Sequence, residues 1–273
     1  MMRNHFTNYI SYLNAPRNNS RVGHLDFASS TIQPLSFASG TPIRDLYEVI
    51  GVEASSIVAG GDKASLSPVR MFPSLSGRDV FAVDKTYKER VREVKQTGRD
   101  GSDKVDSLVY EGEIGVIIGK AGFGIPENRA MEHVWGYTIV SNVTAIERQR
   151  RHKQVHMGKP RDIYCSIMGP IAVPAKCLPE IPEVITKVNG EPKQKETIQD
   201  LIFSISRLIS TISEGVTIQP GDVLSTGTPP AVGIGQSPVC LKPGDEVEIS
   251  VTQVGSLKNK QSNHKYEKRK VIG

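Results

Sequence analysis

The sequence predicts an α+β protein in which strands predominate. Short β-type runs follow two Pro-Gly-Asp turns, over residues 223–225 and 247–251. A continuous apolar run after residue 113 is typical of a buried strand. One amphipathic helix is predicted between residues 197 and 212. Together these features indicate a strand-dominated carboxy-terminal half with one substantial packing helix.

Two acidic residues mark the start of the strand predicted over residues 109–120. Side chains two positions apart on a strand point the same way, so Glu111 and Glu113 should lie side by side. Neighbouring carboxylates repel unless a cation joins them, and Mg²⁺, Mn²⁺ and Ca²⁺ all prefer carboxylate oxygen. The pair therefore indicates a divalent-metal site, while a solvated strand edge is the alternative interpretation of the same spacing.

The predicted helix begins with a capping-box pattern, because Asp200 follows Thr197 by three residues. Apolar residues then recur at spacings of three and four, which places them on one face. They are Ile198, Leu201, Ile202, Ile205, Leu208, Ile209 and Ile212. We expect this face to pack into the core.

A loop rich in hydroxyl groups and glycine lies between the two Pro-Gly-Asp turns, over residues 226–235. Two prolines precede its Gly-x-Gly and no helix follows, which excludes a dinucleotide-binding loop. Its threonines and free backbone amides can hold a carboxylate or another oxyanion. A tight turn without a ligand explains the same residues equally well.

The amino-terminal part predicts a separate unit. Residues 1–75 are expected to form a leader and a small β-rich domain, with a short capped helix over residues 41–51 that Gly51 closes. The main domain is expected over residues 76–273 and ends in a basic tail. Residues 61–79 and 96–106 are rich in residues typical of linkers and surface loops.

Composition is that of an ordinary globular protein, with 273 residues, 38% hydrophobic and 23% charged. Much of the formal charge of +5 lies in the carboxy-terminal tail without a zinc-finger or RNA-binding signature, so no nucleic-acid partner is predicted. No apolar stretch is long enough for a membrane span. Three cysteines without paired or metal spacing suit a reducing compartment. We expect a cytoplasmic protein, with a mitochondrial location as the alternative because the first 25 residues hold arginines and no acidic residue.

Four blocks of the sequence occur in a characteristic order. They are Glu111-x-Glu113, residues 136–145 leading to Gln149, residues 158–162 leading to 168–170, and residues 226–229. In this order they resemble the fumarylacetoacetate hydrolase (FAH) family over residues 80–260, and residues 188–191 with Gln194 and Thr197 extend the resemblance. The resemblance implies a mixed β-roll or β-sandwich core with packing helices, a homodimer, and a small-molecule oxo-acid substrate bound through Mg²⁺ or, alternatively, Mn²⁺ or Ca²⁺.

The resemblance also implies roles for individual residues. Glu111 and Glu113 match metal ligands. Lys159 matches a lysine that supports the metal site and a developing oxyanion, and Gln149 matches an amide that contacts substrate. The loop formed by Thr226, Gly227 and Thr228 matches the one that receives a substrate carboxylate.

Two segments depart from the family pattern. The third metal carboxylate of the family is Asn142 here, which removes one ligand charge and predicts weaker Mg²⁺ binding, and Asp84 is the predicted compensating ligand.

The family's water-activating His–Glu pair is also altered, because the histidine position holds Arg90, which cannot act as a general base. Tyr87 and Glu93 still match the pattern and are predicted catalytic residues. Arg90 is a predicted substrate-binding residue, or forms an ion pair with Glu93. His152 and His156 are candidate replacement bases, although a histidine on a polar loop is more often simply solvated. His133 is expected on a helix that packs Trp135 inward.

Three functions remain open at this point. The favoured one is a metal-dependent lyase or isomerase that stabilises an enolate, since decarboxylation, tautomerisation and cyclisation need no activated water. The second is a carbon–carbon bond hydrolase in which His152, His156 or Glu93 has replaced the base. The third is a non-catalytic protein that has kept the fold.

Overall fold

A computed structural model describes residues 6–14, 19–67, 69–90, 108–153, 158–159, 167–178, 182–231 and 240–261. The strands are β1 (Tyr9–Asn14), β2 (Asn19–Asp26), β3 (Thr31–Phe37), β4 (Ile57–Ala59), β5 (Ala64–Ser65), β6 (Val80–Ala82), β7 (Leu108–Val109), β8 (Gly112–Ile118), β9 (Val134–Ser141), β10 (Thr144–Ala145), β11 (Ile167–Pro174), β12 (Glu183–Val188), β13 (Glu191–Thr197), β14 (Val223–Ser225), β15 (Glu246–Val251) and β16 (Gly255–Lys260). The α-helices are α1 (Tyr47–Ile50), α2 (Ile146–His152) and α3 (Ile205–Ser213), and short 3₁₀ helices cover Ala54–Ser56, Glu127–His133, Ala175–Cys177 and Ile198–Asp200. The α+β prediction is confirmed.

A ten-stranded sheet forms the centre of the molecule, in the order β4-β3-β2-β1-β11-β9-β8-β14-β6, with β5 paired to β3. Its strands are antiparallel except for β14 and β6, which run parallel. The first strand joins the later part of the chain directly, because Tyr9 of β1 pairs with Ala172 of β11. The strands before residue 75 therefore continue the main sheet, and the proposed domain boundary stays a prediction.

A second sheet of four strands, in the order β13-β12-β15-β16, packs on one face of the large sheet. Strand β8 shows how alternation builds this sandwich. Ile114, Val116 and Ile118 share a core with Val184 and Ile249 of the smaller sheet. The intervening Ile117 points to the opposite face, where the β1–β3 strands and α1 contribute a second core. Every residue of β8 is thereby buried.

The strands predicted after the Pro-Gly-Asp turns are confirmed as β14 and β15. The helix predicted over residues 197–212 forms in two pieces, which corrects the sequence-based expectation. The capping box of Thr197 and Asp200 is present, but it opens a 3₁₀ helix that stops at Leu201, where the backbone is extended. Ser204 then caps α3 by accepting a hydrogen bond from the backbone N–H of Arg207.

The predictions of short helices are confirmed only in part. The helix expected over residues 41–51 is limited to α1, and Gly51 follows it as predicted. His133 lies on a short helix as expected, at the end of the 3₁₀ helix Glu127–His133, and Trp135 packs against the second core. Trp135 itself lies on β9, with its ring 5.6 Å from that of Tyr9. Residues 96–106 and the basic tail after residue 261 lie outside the described residues. Within the described ranges, no helix has the length and apolar character that a membrane span requires.

Candidate active site

A small polar cavity lies at one edge of the large sheet, where four strands meet. Strands β14 and β6 are parallel, so their carboxyl ends reach the same edge, and the antiparallel β8 begins there. Strand β9, antiparallel to β8, also ends at this edge. The cavity is lined by Ala82, Val83, Asp84, Glu111, Glu113, Asn142, Thr144, Gln149, Lys159 and Thr228.

Glu113 is the most deeply buried acidic residue of the cavity, with 1% of its surface exposed. Its Oε2 accepts hydrogen bonds from Oγ of Ser225 at 2.5 Å and the backbone N–H of Gly227 at 2.8 Å. Its Oε1 accepts one from Nδ2 of Asn142 at 2.8 Å. Burial and then the charge of Glu111 nevertheless raise the pKa of Glu113 to about 7.

Glu111 immediately precedes β8 and is bound by a lysine from a distant part of the chain. Its Oε2 lies 2.6 Å from Nζ of Lys159 and accepts a hydrogen bond from Oγ1 of Thr144 at 2.7 Å. Nζ of Lys159 also donates to the backbone oxygen of Asn142 at 2.8 Å and contacts Oγ1 of Thr144. Three acceptors thus surround an ammonium group with three protons, which fixes its position at the cavity wall.

The segment between β9 and α2 supports this arrangement through its backbone. The N–H of Asn142 donates to the backbone oxygen of Glu111 at 2.8 Å, which holds the two segments together beyond the end of β9. Strand β10 then pairs with β7, so Thr144 faces Val109 in the register. The hydroxyl of Thr144 is thereby held beside both charged groups.

The loop after β14 closes the cavity on the side of Glu113. Gly227 has φ of +88°, and a Cβ there would lie 2.0 Å from Oγ1 of Thr86, so glycine is required on both counts. Thr86 in turn donates to the backbone oxygen of Thr226 at 2.6 Å. Thr228 lines the cavity, and its Oγ1 donates to the backbone oxygen of Gly112 at 3.2 Å.

A family profile described as fumarylacetoacetate (FAA) hydrolase C-terminal matches residues 91–261, which is more than half of the chain. That span contains β8, the lysine and the loop after β14. The chain belongs to the fumarylacetoacetate hydrolase family. The predicted family assignment, and with it the expectation of an enzyme among lyases, isomerases and hydrolases, is confirmed.

Three relatives illustrate the range of the FAH family. The oxaloacetate tautomerase YisK of Bacillus subtilis (strain 168) is 46% identical over 155 residues, covering 56% of this chain and 51% of that protein, so the matched region spans about half the relative's length. A fumarylacetoacetate hydrolase from psychrophilic Exiguobacterium antarcticum is 27% identical with a TM-score of 0.79, covering 94% of this chain and 100% of that one. A fumarylpyruvate hydrolase from Pseudomonas aeruginosa, solved in complex with Mn²⁺ and pyruvate, is 24% identical with a TM-score of 0.55, covering 71% of this chain and 91% of that one.

The structure gathers most of the predicted FAH-type site residues in one cavity. Seven of them line it, and these are Asp84, Glu111, Glu113, Asn142, Gln149, Lys159 and Thr228. Asp84 follows β6 and accepts a hydrogen bond from the backbone N–H of Lys85 at 2.7 Å. Their individual roles stay predictions.

Other predicted residues stand apart from the cavity lining within the described ranges. Tyr87 is fully buried, and burial, with the charge of Glu113 second, raises the pKa of its hydroxyl. Arg90 is 5% exposed. Thr226 and Gly227 contribute through the backbone rather than the cavity surface. His152 is exposed on α2, and Glu93 and His156 lie outside the described residues.

Sequence reasoning missed two hydroxyl groups that hold the carboxylates. Thr144 binds Glu111 and Lys159, and Ser225 binds Glu113. Both lie inside or directly beside blocks that carried the family resemblance, at residues 136–145 and 226–229. Proximity to those blocks was the available signal, but a lone hydroxyl carries too little sequence information to distinguish a carboxylate partner from a turn residue.

The donor set of the cavity fits a hard divalent cation. Glu111 and Glu113 supply carboxylate oxygens and Asn142 an amide oxygen, which are the ligand types that Mg²⁺ and Mn²⁺ prefer. Lys159 supplies one positive charge beside two carboxylates, so a divalent cation would balance the remaining negative charge. Across the described residues, no group of three or more His, Cys, Asp or Glu side chains is arranged for a metal, so the amide of Asn142 is needed to complete three protein donors.

Proposed function

We propose that this chain is a divalent-metal-dependent tautomerase that interconverts the keto and enol forms of a 2-oxo dicarboxylic acid of the oxaloacetate type. The observation that carries the proposal is the cavity in which Lys159 is fixed against Glu111, beside the buried Glu113. The 46% identity to an oxaloacetate tautomerase over 155 residues supports the reaction class.

Glu111, Glu113 and Asn142 would hold the cation. Asp84, the predicted compensating ligand, lines the same cavity and would have to move closer to join Glu111 and Glu113. A bound divalent cation would supply Lewis acidity toward the oxygens of the oxo acid. The Mn²⁺ and pyruvate present together in the fumarylpyruvate hydrolase of the same fold support this choice of cation and ligand class.

The protein's own residues would contribute fixed charge and orientation. The ammonium of Lys159 favours negative charge that develops on a substrate oxygen, and its three acceptors hold it in place before substrate arrives. The amide of Gln149, at the same cavity, can donate hydrogen bonds to a substrate carboxylate.

Tautomerisation also suits the residue that occupies the altered family position. The reaction moves one proton between carbon and oxygen and consumes no water. It therefore does not require the His–Glu pair whose histidine position holds Arg90 here.

The decisive experiment follows the absorbance of enol-oxaloacetate after dilution into buffer with wild-type protein, with and without Mg²⁺ or Mn²⁺. We expect the enol to decay faster than in buffer alone, and we expect this acceleration to be lost after metal chelation and in Glu113→Gln. Glu191→Gln is the matched control, because Glu191 is an exposed carboxylate that pairs with Lys193 and is not among the residues lining the cavity. Unaccelerated decay at every metal concentration would refute the proposal.

Carbon–carbon bond hydrolysis is the second candidate, supported by the similarity to a fumarylacetoacetate hydrolase across 94% of the chain. An acylpyruvate incubated in H₂¹⁸O tests it, because hydrolysis places ¹⁸O in the released carboxylate whereas tautomerisation leaves the carbon skeleton whole. Release of labelled acid with a rate that exceeds enol–keto conversion would favour the hydrolase.

Assembly and location complete the proposal. A homodimer and a cytoplasmic location fit the family resemblance and the composition, and light scattering on the purified chain tests the first. A molar mass near 60 kDa is expected for the dimer, since one chain has a mass of 29.8 kDa.

A further inference from the structure

Gln194 lies outside the cavity, on β13 of the smaller sheet, yet its side chain is bound to two segments that build the cavity. Its Oε1 accepts a hydrogen bond from the backbone N–H of Gly112 at 3.1 Å. Its Nε2 donates to Oγ1 of Thr228 and to the backbone oxygen of Pro229, both at 2.7 Å. The residue is 4% exposed, so water does not replace these partners.

The two segments held by Gln194 both contribute residues to the cavity lining. Gly112 lies between Glu111 and Glu113, so its position constrains the backbone from which both carboxylate side chains extend. Thr228 lines the cavity, and its Oγ1 donates to the backbone oxygen of Gly112 at 3.2 Å. The backbone of Gln194 also forms a bridge with Ala231, which anchors the same loop a second time.

Close packing makes this connection rigid. A Cβ on Gly112 would lie 2.0 Å from Oγ1 of Thr186, so β12 of the smaller sheet lies directly against the start of β8. Thr186 pairs with Gln194 in the register of β12 and β13. The smaller sheet therefore contacts the carboxylate segment at two adjacent points.

An amide is the side chain that the surrounding groups demand. The N–H of Gly112 can only donate and the carbonyl of Pro229 can only accept, so their common partner must accept at one atom and donate at another. A glutamate of the same length keeps the acceptor and, when ionised, loses the donor. A methionine keeps the approximate volume and loses both.

We propose that Gln194 is a positioning residue that sets the distance between the Glu111–Glu113 segment and the Thr228 loop. The proposal rests on the proposed function only in treating this cavity as the active site. It assigns to the smaller sheet a direct part in the geometry of catalysis, although that sheet contributes none of the residues that line the cavity in the described part of the chain.

Amide resonances of ¹⁵N-glycine-labelled protein test the proposal without any activity. In Gln194→Met, the signals of Gly112 and Gly227 should both shift. The N–H of Gly112 loses its acceptor on Gln194. Gly227 lies in the loop that Gln194 holds, so its hydrogen bond to Glu113 should change when that loop moves. In Gln194→Glu, Gly227 should shift while Gly112 stays closer to its wild-type position. Gln199→Met, on an exposed residue, is the matched control and should leave both signals in place. An unmoved Gly227 signal in both Gln194 variants would overturn the proposal.

Kinetics supply the second readout. We expect kcat for enol–keto conversion to fall about 10- to 100-fold in Gln194→Met, with a smaller change in KM, because displacement of catalytic groups by about 1 Å has effects of this size. Thr228→Val should lower kcat less in the Gln194→Met background than in the wild-type protein, since both substitutions remove the same Gln194–Thr228 hydrogen bond. Fully multiplicative losses, with melting temperatures near wild type, would contradict action through Thr228.

The two proposals can fail independently. A wild-type protein that neither binds Mn²⁺ nor converts enol-oxaloacetate removes the proposed function, whereas the glycine resonances still report whether Gln194 controls the loop. Normal wild-type activity together with unchanged kinetics in both Gln194 variants removes the positioning role alone.

Discussion

Nζ of Lys159 lies 2.6 Å from Oε2 of Glu111, although 48 positions separate the two residues along the chain. The contact is partly shielded, with 18% of the lysine side chain and 12% of the glutamate side chain exposed. It places the cavity's one described cation against one of its two paired carboxylates. The charge balance of the whole site therefore depends on this ion pair.

Replacing Lys159 with methionine should lower kcat strongly and leave the fold intact. The change keeps the aliphatic stem and removes the charge that favours a developing oxyanion, so a loss of about 100-fold or more is expected. Enol–keto conversion at saturating substrate measures it. Lys193→Met, which removes the ion pair with the exposed Glu191 and leaves the cavity lining unchanged, should keep wild-type turnover. Retention of more than half of kcat in Lys159→Met would contradict the assigned role.

Glu113 should make the metal-stripped protein less stable as the pH rises. Its folded-state pKa of about 7 lies above the reference value of 4.5, so the folded state holds a proton that the unfolded state releases. This stabilisation is complete below pH 4.5 and is lost as the pH rises through 7. Between pH 5.5 and pH 8, we expect the free energy of unfolding to fall by about 2 kcal/mol more in the wild-type protein than in Glu113→Gln. Urea titrations with a chelator present measure this difference, and parallel pH profiles of the two proteins would refute it.

Asn142→Asp should lower the stability of the metal-free protein and raise its affinity for a divalent metal. Nδ2 of Asn142 donates to Oε1 of Glu113, and a carboxylate in its place would repel that oxygen. With a cation bound, the added charge becomes favourable, so we expect Mn²⁺ affinity to rise about 10-fold or more. Calorimetric titration of Mn²⁺ and thermal melting of the metal-stripped protein measure the two effects. Weaker Mn²⁺ binding would exclude residue 142 from the metal site.

Gly112→Ala should destabilise the protein and disturb the cavity. Its Cβ would lie 2.0 Å from Oγ1 of Thr186 and 3.2 Å from side-chain carbons of Ile249, so the Thr186 side chain or the strand that carries it must shift. A loss of about 1–3 kcal/mol is expected from such overpacking. Adding Thr186→Ala removes the closest clash and should restore part of the loss, which chemical denaturation of the two variants measures. Gly51→Ala, where a Cβ meets nothing within 4 Å, is the control.

Local pattern was sufficient for the features that depend on neighbours in the sequence. The two-residue period of a strand placed Glu111 and Glu113 at one cavity, and the Pro-Gly-Asp turns located β14 and β15. The capping box at Thr197 was also predicted correctly, but the length of the helix was not. The apolar spacing of three and four continues through residues 201–204, so it predicts an unbroken helix there. In the structure, Leu201 is extended and its backbone pairs with that of Tyr87.

By itself, the sequence determined the strand-rich α+β class, the order of the FAH-type blocks and the candidate residues within them. Only the tertiary structure decided which of these residues share the cavity. Ser225 reaches Glu113 across 112 positions and Gln194 reaches Gly112 across 82. Such contacts depend on how strands from distant segments pair and on how closely two sheets pack. Periodicity determines the side to which a residue points, whereas register and packing determine what it meets there.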